Sequence, residues 1–98
     1  MNKAERLIGL ATGAGKVITG LELCEKAVKS GKAKLIILTN ETSDNSKKVF
    51  MNSGIDIIYL ESKEILGKCT GKETRSVAVI TDKNFSTAVL KAYNDKEI

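Results

Sequence analysis

Apolar residues near the start of the chain repeat every three or four positions, which is the spacing of one helix face. They are Ala4, Leu7, Ile8 and Ala11. Asn2 stands before this pattern and Glu5 follows three positions later, so the pair can form a capping box at the start of a helix. We therefore predict an amphipathic helix that begins after Asn2 and ends near Gly13.

Three later segments are almost continuously apolar, which is typical of strands covered on both faces of a sheet. They are residues 35–38, 55–60 and 77–80. Val17 and Ile18 allow a fourth strand, which would be short.

Polar residues and glycines mark the limits of further helices between these strands. Thr19 and Glu22 match a second capping-box pattern, and Gly31 would end the helix that follows. The predicted apolar face of this second helix consists of Leu21, Cys24, Ala27 and Val28. Three more helices are predicted at residues 43–53, at residues 62–70, and after Asp82, where the apolar positions are Phe85, Ala88, Val89 and Ala92.

Helices and short apolar strands thus alternate along 98 residues, a length suited to one domain. Each element must bury its apolar face against another layer. The alternation therefore predicts an α/β fold, namely a three-layer α/β/α sandwich around a mixed sheet of about four strands. We expect residues 1–98 to form this single domain.

Composition narrows the function classes. Apolar residues make up 42% and charged residues 29% of the chain, as in folded soluble domains. No segment has the length of a membrane span or the pattern of a signal peptide, so we expect a cytoplasmic protein with no membrane partner. Histidine, the commonest general base, is absent from the sequence, and the two cysteines lack the spacing of metal ligands. We therefore expect no enzymatic activity, no catalytic residue, no metal and no small-molecule cofactor.

Two features suggest chemistry but have simpler explanations. Residues 12–16 contain two glycines before Lys16, yet Leu10 and Val17 stand where a phosphate-binding loop requires glycine and a hydroxyl residue. We interpret this segment as the end of a helix. Cys24 and Cys69 fall on apolar helix faces, where buried thiols are unreactive.

The chain is basic, with 16 lysines and arginines against 12 acidic residues and a pI of about 9.1. Five lysines lie between positions 16 and 34, where Glu22 and Glu25 are the acidic residues. Gly20, at the start of the second helix, would let backbone N–H groups approach an RNA phosphate closely. The alternative is that Gly20 only begins the helix and the lysines solvate its outer face. The local pattern does not choose between these two interpretations.

Aromatic residues bear on the kind of RNA that such a surface could bind. There are four, and the core requires Phe50 and Phe85. Proteins that bind single strands depend on several stacking aromatics. The sequence therefore favours folded RNA over single-stranded RNA as a partner.

Seven short blocks follow one another along nearly the whole chain, at residues 10–12, 14–20, 26–28, 30–38, 66–68, 71–73 and 78–82. In this order they resemble the ribosomal-protein family that binds RNA kink-turns, and most of all its small bacterial YlxQ-like branch. The resemblance implies a single α/β/α sandwich with a mixed four-stranded sheet, in agreement with the fold predicted from the hydrophobic pattern.

The resemblance also implies an RNA surface, built from the loop before the second helix, the start of that helix and the loop before the last strand. It implies close backbone approach at Gly20, phosphate contacts from Lys16 and Lys26, and Glu22 near the base edges of sheared G·A pairs. The full implied set is Lys16, Thr19, Gly20, Leu21, Glu22, Leu23, Lys26, Lys72, Glu73, Thr74 and Arg75.

This sequence departs from the family pattern within that surface. Glu22 and Leu23 stand where archaeal ribosomal members have an Asn-Glu pair. Residues 72–75 are polar where the family is usually apolar, and Gly13 replaces the basic residue expected in the bacterial branch.

The function implied by the resemblance is non-catalytic binding of structured, kink-turn-like RNA, in a ribosome-associated or RNA-regulatory role. Ribosomal RNA is one candidate partner. The alternative is a protein-interaction module that has the same fold and has lost affinity for RNA.

Overall fold

A computed structural model describes residues 1–95 of the chain, in which five helices alternate with four strands. The helices are α1 (Lys3–Gly13), α2 (Leu21–Lys29), α3 (Asp44–Met51), α4 (Lys63–Cys69) and α5 (Lys83–Asn94). The strands are β1 (Val17–Thr19), β2 (Leu35–Thr39), β3 (Ile57–Leu60) and β4 (Val77–Ile80).

The four strands form one mixed sheet in the order β1-β4-β2-β3. β4 runs antiparallel to both β1 and β2, whereas β2 and β3 are parallel. As a result β1, β2 and β3 all point the same way. These three strands finish at the end of the sheet where β4 starts, and we call this the Thr19 end. We call the opposite end the Lys16 end.

Helices cover both faces of the sheet, because alternate strand residues point to opposite sides. On one face, Ile37 and Ala78 belong to a core that also contains Ile8 of α1, Leu66 of α4 and Val89 of α5. On the other face, a second core packs α2 and α3 against the sheet through residues that include Cys24, Ile36, Phe50 and Val79. The predicted three-layer α/β/α sandwich is confirmed.

Helix α1 begins and ends as its sequence predicts. The Glu5 N–H donates to Asn2 Oδ1 at 2.8 Å, and the Asn2 N–H donates to Glu5 Oε1 at 3.4 Å, which completes the capping box. At the other end the Gly15 N–H donates to Thr12 O and the Lys16 N–H to Ala11 O, a Schellman motif. Residues 12–16 are therefore a helix terminus, as we interpreted them.

The capping box predicted for Thr19 and Glu22 is wrong. Thr19 is the last residue of β1, α2 begins at Leu21, and the capping position is Gly20, which has no side chain to offer. Leu21 was predicted on the buried face of α2 but is 40% exposed, because the first residue of α2 projects beyond the sheet core. β3 begins at Ile57, two residues later than the apolar run suggested.

Both cysteines are buried in the core, as predicted. Burial raises the pKa of the Cys24 thiol to about 12. Burial, with a smaller effect from the Glu5 carboxylate, raises the pKa of Cys69 to about 11. Both thiols are therefore held in their protonated, unreactive form. Within residues 1–95, no helix has the length and apolar character needed to cross a bilayer.

Candidate nucleic-acid interface

Gly20 makes the sharp turn between β1 and α2 at the Thr19 end of the sheet. Its backbone has φ 96° and ψ 143°, a conformation that side-chain-bearing L residues rarely adopt. A Cβ built on Gly20 would meet no atom within 4 Å, so the requirement for glycine comes from the backbone and not from crowding. The Gly20 N–H donates to Val77 O at 3.2 Å, which fixes the turn against the start of β4.

The first turn of α2 exposes unpaired backbone donors. No side chain caps this helix, and within residues 1–95 the N–H groups of Leu21, Glu22 and Leu23 have no hydrogen-bond acceptor. Free N–H groups at the positive end of a helix dipole attract anions. The start of α2 is therefore suited to a phosphate group.

The second loop, residues 72–75, lies against α4. The Lys72 N–H donates to Gly67 O at 2.8 Å, and the Arg75 N–H donates to Lys63 O at 3.0 Å. A Cβ on Gly67 would lie 2.5 Å from Glu73 O, so the loop can pack here only because position 67 is glycine. The loop thus runs back along α4 and returns the chain to the Thr19 end.

Arg75 joins the second loop to the turn at Gly20. Its Nε donates to Thr19 Oγ1 over a long 3.4 Å, and its Nη1 donates to Thr74 O at 2.7 Å. A guanidinium has five N–H donors, and these two bonds are its hydrogen bonds within the described chain. The remaining donors of a half-buried, positioned arginine can bind an external phosphate or base edge.

A buried threonine pair supports this end of the sheet, and the sequence analysis missed it. The Thr42 hydroxyl donates to Ser76 O at 2.7 Å, and the Thr39 N–H donates to Thr42 Oγ1 at 2.9 Å. These bonds fix the residue between the second loop and β4. The signal was present as Thr39 after the apolar run and Thr42 three positions later, since Thr hydroxyls in such loops can bond to local backbone.

The Thr19 end brings together most of the residues implied by the family resemblance. Direct backbone or side-chain contacts join the turn at Gly20 to the end of the second loop at Arg75, with Leu21, Glu22 and Leu23 in the adjoining first turn. Lys72, Glu73 and Thr74 lie along the loop that leads there, and Lys26 lies in the second half of α2. Lys16 is separated from them, because it precedes β1 at the opposite end of the sheet.

Glu22 is exposed in the first turn of α2. Its carboxylate has no hydrogen bond or ion pair within residues 1–95. It is flanked by Leu21 and Leu23, which are 40% and 58% exposed. The surface therefore combines free backbone donors, one arginine, one unpaired acceptor and two apolar side chains.

Sequence comparisons place the chain among known proteins. The profile of the Ribosomal protein L7Ae/L30e/S12e/Gadd45 family matches residues 2–91. The RNA-binding protein YlxQ of Bacillus subtilis (strain 168) is 34% identical over 88 residues, which cover 86% of this chain and 88% of that protein. The RNA-binding protein YlxQ of Enterococcus faecium is 36% identical over 88 residues, with coverage of 86% and 84%.

Solved structures agree with the fold. A protein with unknown function from Bacillus halodurans C superposes with a TM-score of 0.92 at 28% identity, and the match covers 97% of this chain and all of that one. The Giardia lamblia 15.5kD RNA binding protein has a TM-score of 0.75 at 20% identity, with coverage of 95% and 83%. By the family profile and by its relatives over most of its length, this chain belongs to the Ribosomal protein L7Ae/L30e/S12e/Gadd45 family.

Proposed function

We propose that this chain is a non-catalytic RNA-binding protein that recognises structured, kink-turn-like RNA at the Thr19 end of its sheet. The observation that carries the proposal is the link between Arg75 and Thr19, which holds the second loop beside the uncapped first turn of α2. Two separate segments of the chain thereby present donors to one ligand. The names of the Bacillus subtilis and Enterococcus faecium relatives support RNA as that ligand.

The chemistry of each group suits a different part of an RNA. Free N–H groups at the start of α2 and the guanidinium of Arg75 can bind phosphate oxygens, which position the RNA without reading its sequence. Glu22 offers acceptors alone, and guanine presents two adjacent donors, N1–H and the N2 amino group, from which one carboxylate can accept two hydrogen bonds. Sheared G·A pairs expose such an edge, so Glu22 gives the surface a means of selecting them.

The cellular role belongs to the same proposal. A protein that binds folded RNA by shape and backbone suits ribosomal RNA or a regulatory RNA element, and we place this one in the cytoplasm in a ribosome-associated or RNA-regulatory role. The family profile, which carries the name of ribosomal proteins, supports this assignment. The sequence has no histidine, the commonest general base, which supports a non-catalytic role.

The test is a titration of the whole chain with a kink-turn RNA and with the same RNA in which Watson–Crick pairs replace the G·A pairs. We expect the kink-turn to bind at least about tenfold more tightly. This ratio corresponds to about 1.4 kcal/mol, which one good base contact can supply. Equal affinity for the two RNAs would refute kink-turn recognition. Absence of binding to either RNA would refute the proposed function as a whole.

A protein-interaction module is the second candidate, and the exposure of Leu21 and Leu23 favours it. Fully buried interface cores are apolar, and two exposed leucines could anchor one. Salt separates the candidates, because phosphate contacts weaken steeply as salt rises whereas an apolar protein contact does not.

A further inference from the structure

Four exposed lysines lie at the Lys16 end of the sheet, opposite the proposed RNA site. This distal lysine cluster consists of Lys16, Lys32, Lys34 and Lys83. The Thr81 N–H donates to Lys16 O at 2.9 Å, and the Lys34 N–H donates to Ile80 O at 2.8 Å. Lys16 and Lys34 therefore flank the end of β4 from its two sides, with backbones roughly 10 Å apart by two strand spacings.

The other two lysines lie at the same end of the sheet, each at the terminus of a helix. Lys32 follows α2 in a Schellman motif, in which its N–H donates to Ala27 O at 2.9 Å, just as Lys16 follows α1. Lys83 is the first residue of α5, which starts where β4 finishes. A depression of about 400 Å³ lies between Lys34 and Lys83, and Asp56 also lines it.

The positive charge of the cluster is not neutralised within the described chain. Among residues 1–95 there is one ion pair, and it joins Lys29 to Glu25. Asp56 therefore does not approach any lysine of the cluster to ion-pair distance, although it lines the same depression. The other acidic group at this end, Asp82, accepts a hydrogen bond from the Phe85 N–H as the cap of α5.

Local structure explains three members of the cluster but not Lys83. Cations are favourable at the C-terminal end of a helix dipole, which accounts for Lys16 after α1 and Lys32 after α2. Lys34 Nζ donates to Gly31 O just after α2 at 3.2 Å, so this lysine also has a local role. Lys83 occupies the N-terminal end of α5, where the dipole disfavours a cation. Like charges gathered at one end of a molecule repel one another, and an anionic partner relieves that repulsion.

We propose that the distal lysine cluster binds the phosphate backbone of a second RNA segment while a first segment occupies the Thr19 end. The chain would then hold two RNA segments at opposite ends of one sheet. The identity of the first segment rests on the proposed function. Lysines are flexible point charges that bind phosphates without reading bases. No residue that lines the depression is aromatic and could stack on unpaired bases, so the second segment is plain duplex of any sequence.

The test uses one variant and one matched control of the whole chain. The distal variant combines Lys16→Gln, Lys32→Gln, Lys34→Gln and Lys83→Gln. The control removes the same charge elsewhere and combines Lys3→Gln, Lys48→Gln, Lys68→Gln and Lys91→Gln, all at exposed positions. Circular dichroism first checks that both variants are folded.

Each protein is saturated with an unlabelled kink-turn RNA and titrated with a labelled RNA duplex that contains no kink. If four phosphates are neutralised, wild-type affinity for the duplex should fall roughly a hundredfold between about 50 and 200 mM salt, by analogy with duplex DNA. The distal variant should bind the duplex at least about tenfold more weakly than the control variant at low salt, because it lacks those contacts.

Three results would overturn the proposal. They are the absence of duplex binding by the wild type alone, loss of that binding once the wild type is saturated with kink-turn RNA, and an equal loss in both variants. A failure of the proposed function is distinguishable, because it is a lack of preference for the kink-turn in the absence of duplex. In that case the comparison of the two variants with the duplex alone still decides whether the distal lysine cluster binds phosphates.

Discussion

At the scale of single residues, one sequence pattern allows two roles for Glu22, and the structure excludes one of them. As the third residue of a capping box it would bond back to the preceding turn, and as an RNA contact it would face the ligand. The structure excludes the cap, because Gly20 precedes the helix and the carboxylate has no partner within residues 1–95. An acidic residue in a first helical turn still gains a little from the helix dipole.

We predict that Glu22→Gln changes RNA selectivity far more than stability. Loss of the dipole interaction should lower the free energy of unfolding by about 1 kcal/mol or less. Loss of the charged acceptor should remove about 1–3 kcal/mol of the preference for a kink-turn over its Watson–Crick control. Glu64→Gln is the matched control, since Glu64 is exposed in the first turn of α4. Equal selectivity of wild type and Glu22→Gln in paired titrations would contradict the role of Glu22.

Gly20 carries a backbone requirement that is independent of any ligand. We predict that Gly20→Ala lowers the free energy of unfolding by about 1–3 kcal/mol, because alanine is strained at a φ of 96°. Gly13→Ala is the control, since Gly13 has helical geometry and open space, and it should stabilise the fold by about 0.5–1 kcal/mol. Urea denaturation measures both values. Similar effects from the two substitutions would show that the turn relaxes without cost.

At the scale of elements, the interface depends on how a loop is tied to a strand. The Thr19 hydroxyl accepts from Arg75, which adds a side-chain link to the backbone and Thr42 bonds that hold residues 72–76. We predict that Thr19→Val, which keeps the shape and strand preference of the residue, speeds amide hydrogen exchange in residues 73–76. Thr81→Val is the control, because the Thr81 hydroxyl bonds to Lys16 O at the opposite end. Exchange rates that stay at the wild-type level in Thr19→Val would mean that the link does not hold the loop.

The elements were predictable from the sequence wherever their signals are local. Asn2 and Glu5 formed the expected capping box, and the apolar runs formed the expected strands. The same capping pattern failed at Thr19, because pairing of β1 with β4 and the bond from Arg75 occupy that residue. Those partners lie more than fifty positions away in the sequence, so no local pattern could reveal them.

At the scale of the whole molecule, sheet topology decides which charges share a surface. The stretch between positions 16 and 34 looked like one basic surface because its lysines are close in sequence. The strand order and directions instead separate Lys16, Lys32 and Lys34 from the turn at Gly20 by the length of the sheet. The identity of the candidate residues came from the family resemblance, whereas their grouping into two ends required the fold.

Stability of the whole fold should depend on the buried thiols at high pH. The Cys24 pKa is about 12 in the folded state against 9.0 for a free thiol. Above pH about 9 the unfolded state releases its proton while the folded state retains it, so stability falls as the pH rises towards about 12. We predict that the stability advantage of wild type over Cys24→Ala shrinks by about 1 kcal/mol between pH about 8 and about 10 in urea denaturation. An advantage that is constant over this range would contradict the burial of that thiol.

The most direct test of the central claim is amide chemical-shift mapping of the whole chain during titration with a kink-turn RNA. Recognition at the Thr19 end predicts the largest shifts at the backbone amides of Leu21, Glu22 and Leu23 and at the side-chain Nε–H of Arg75, since these donors would meet the RNA. Shifts confined to other surfaces, such as the exposed face of α1 around Leu10, with these four signals unchanged, would contradict it.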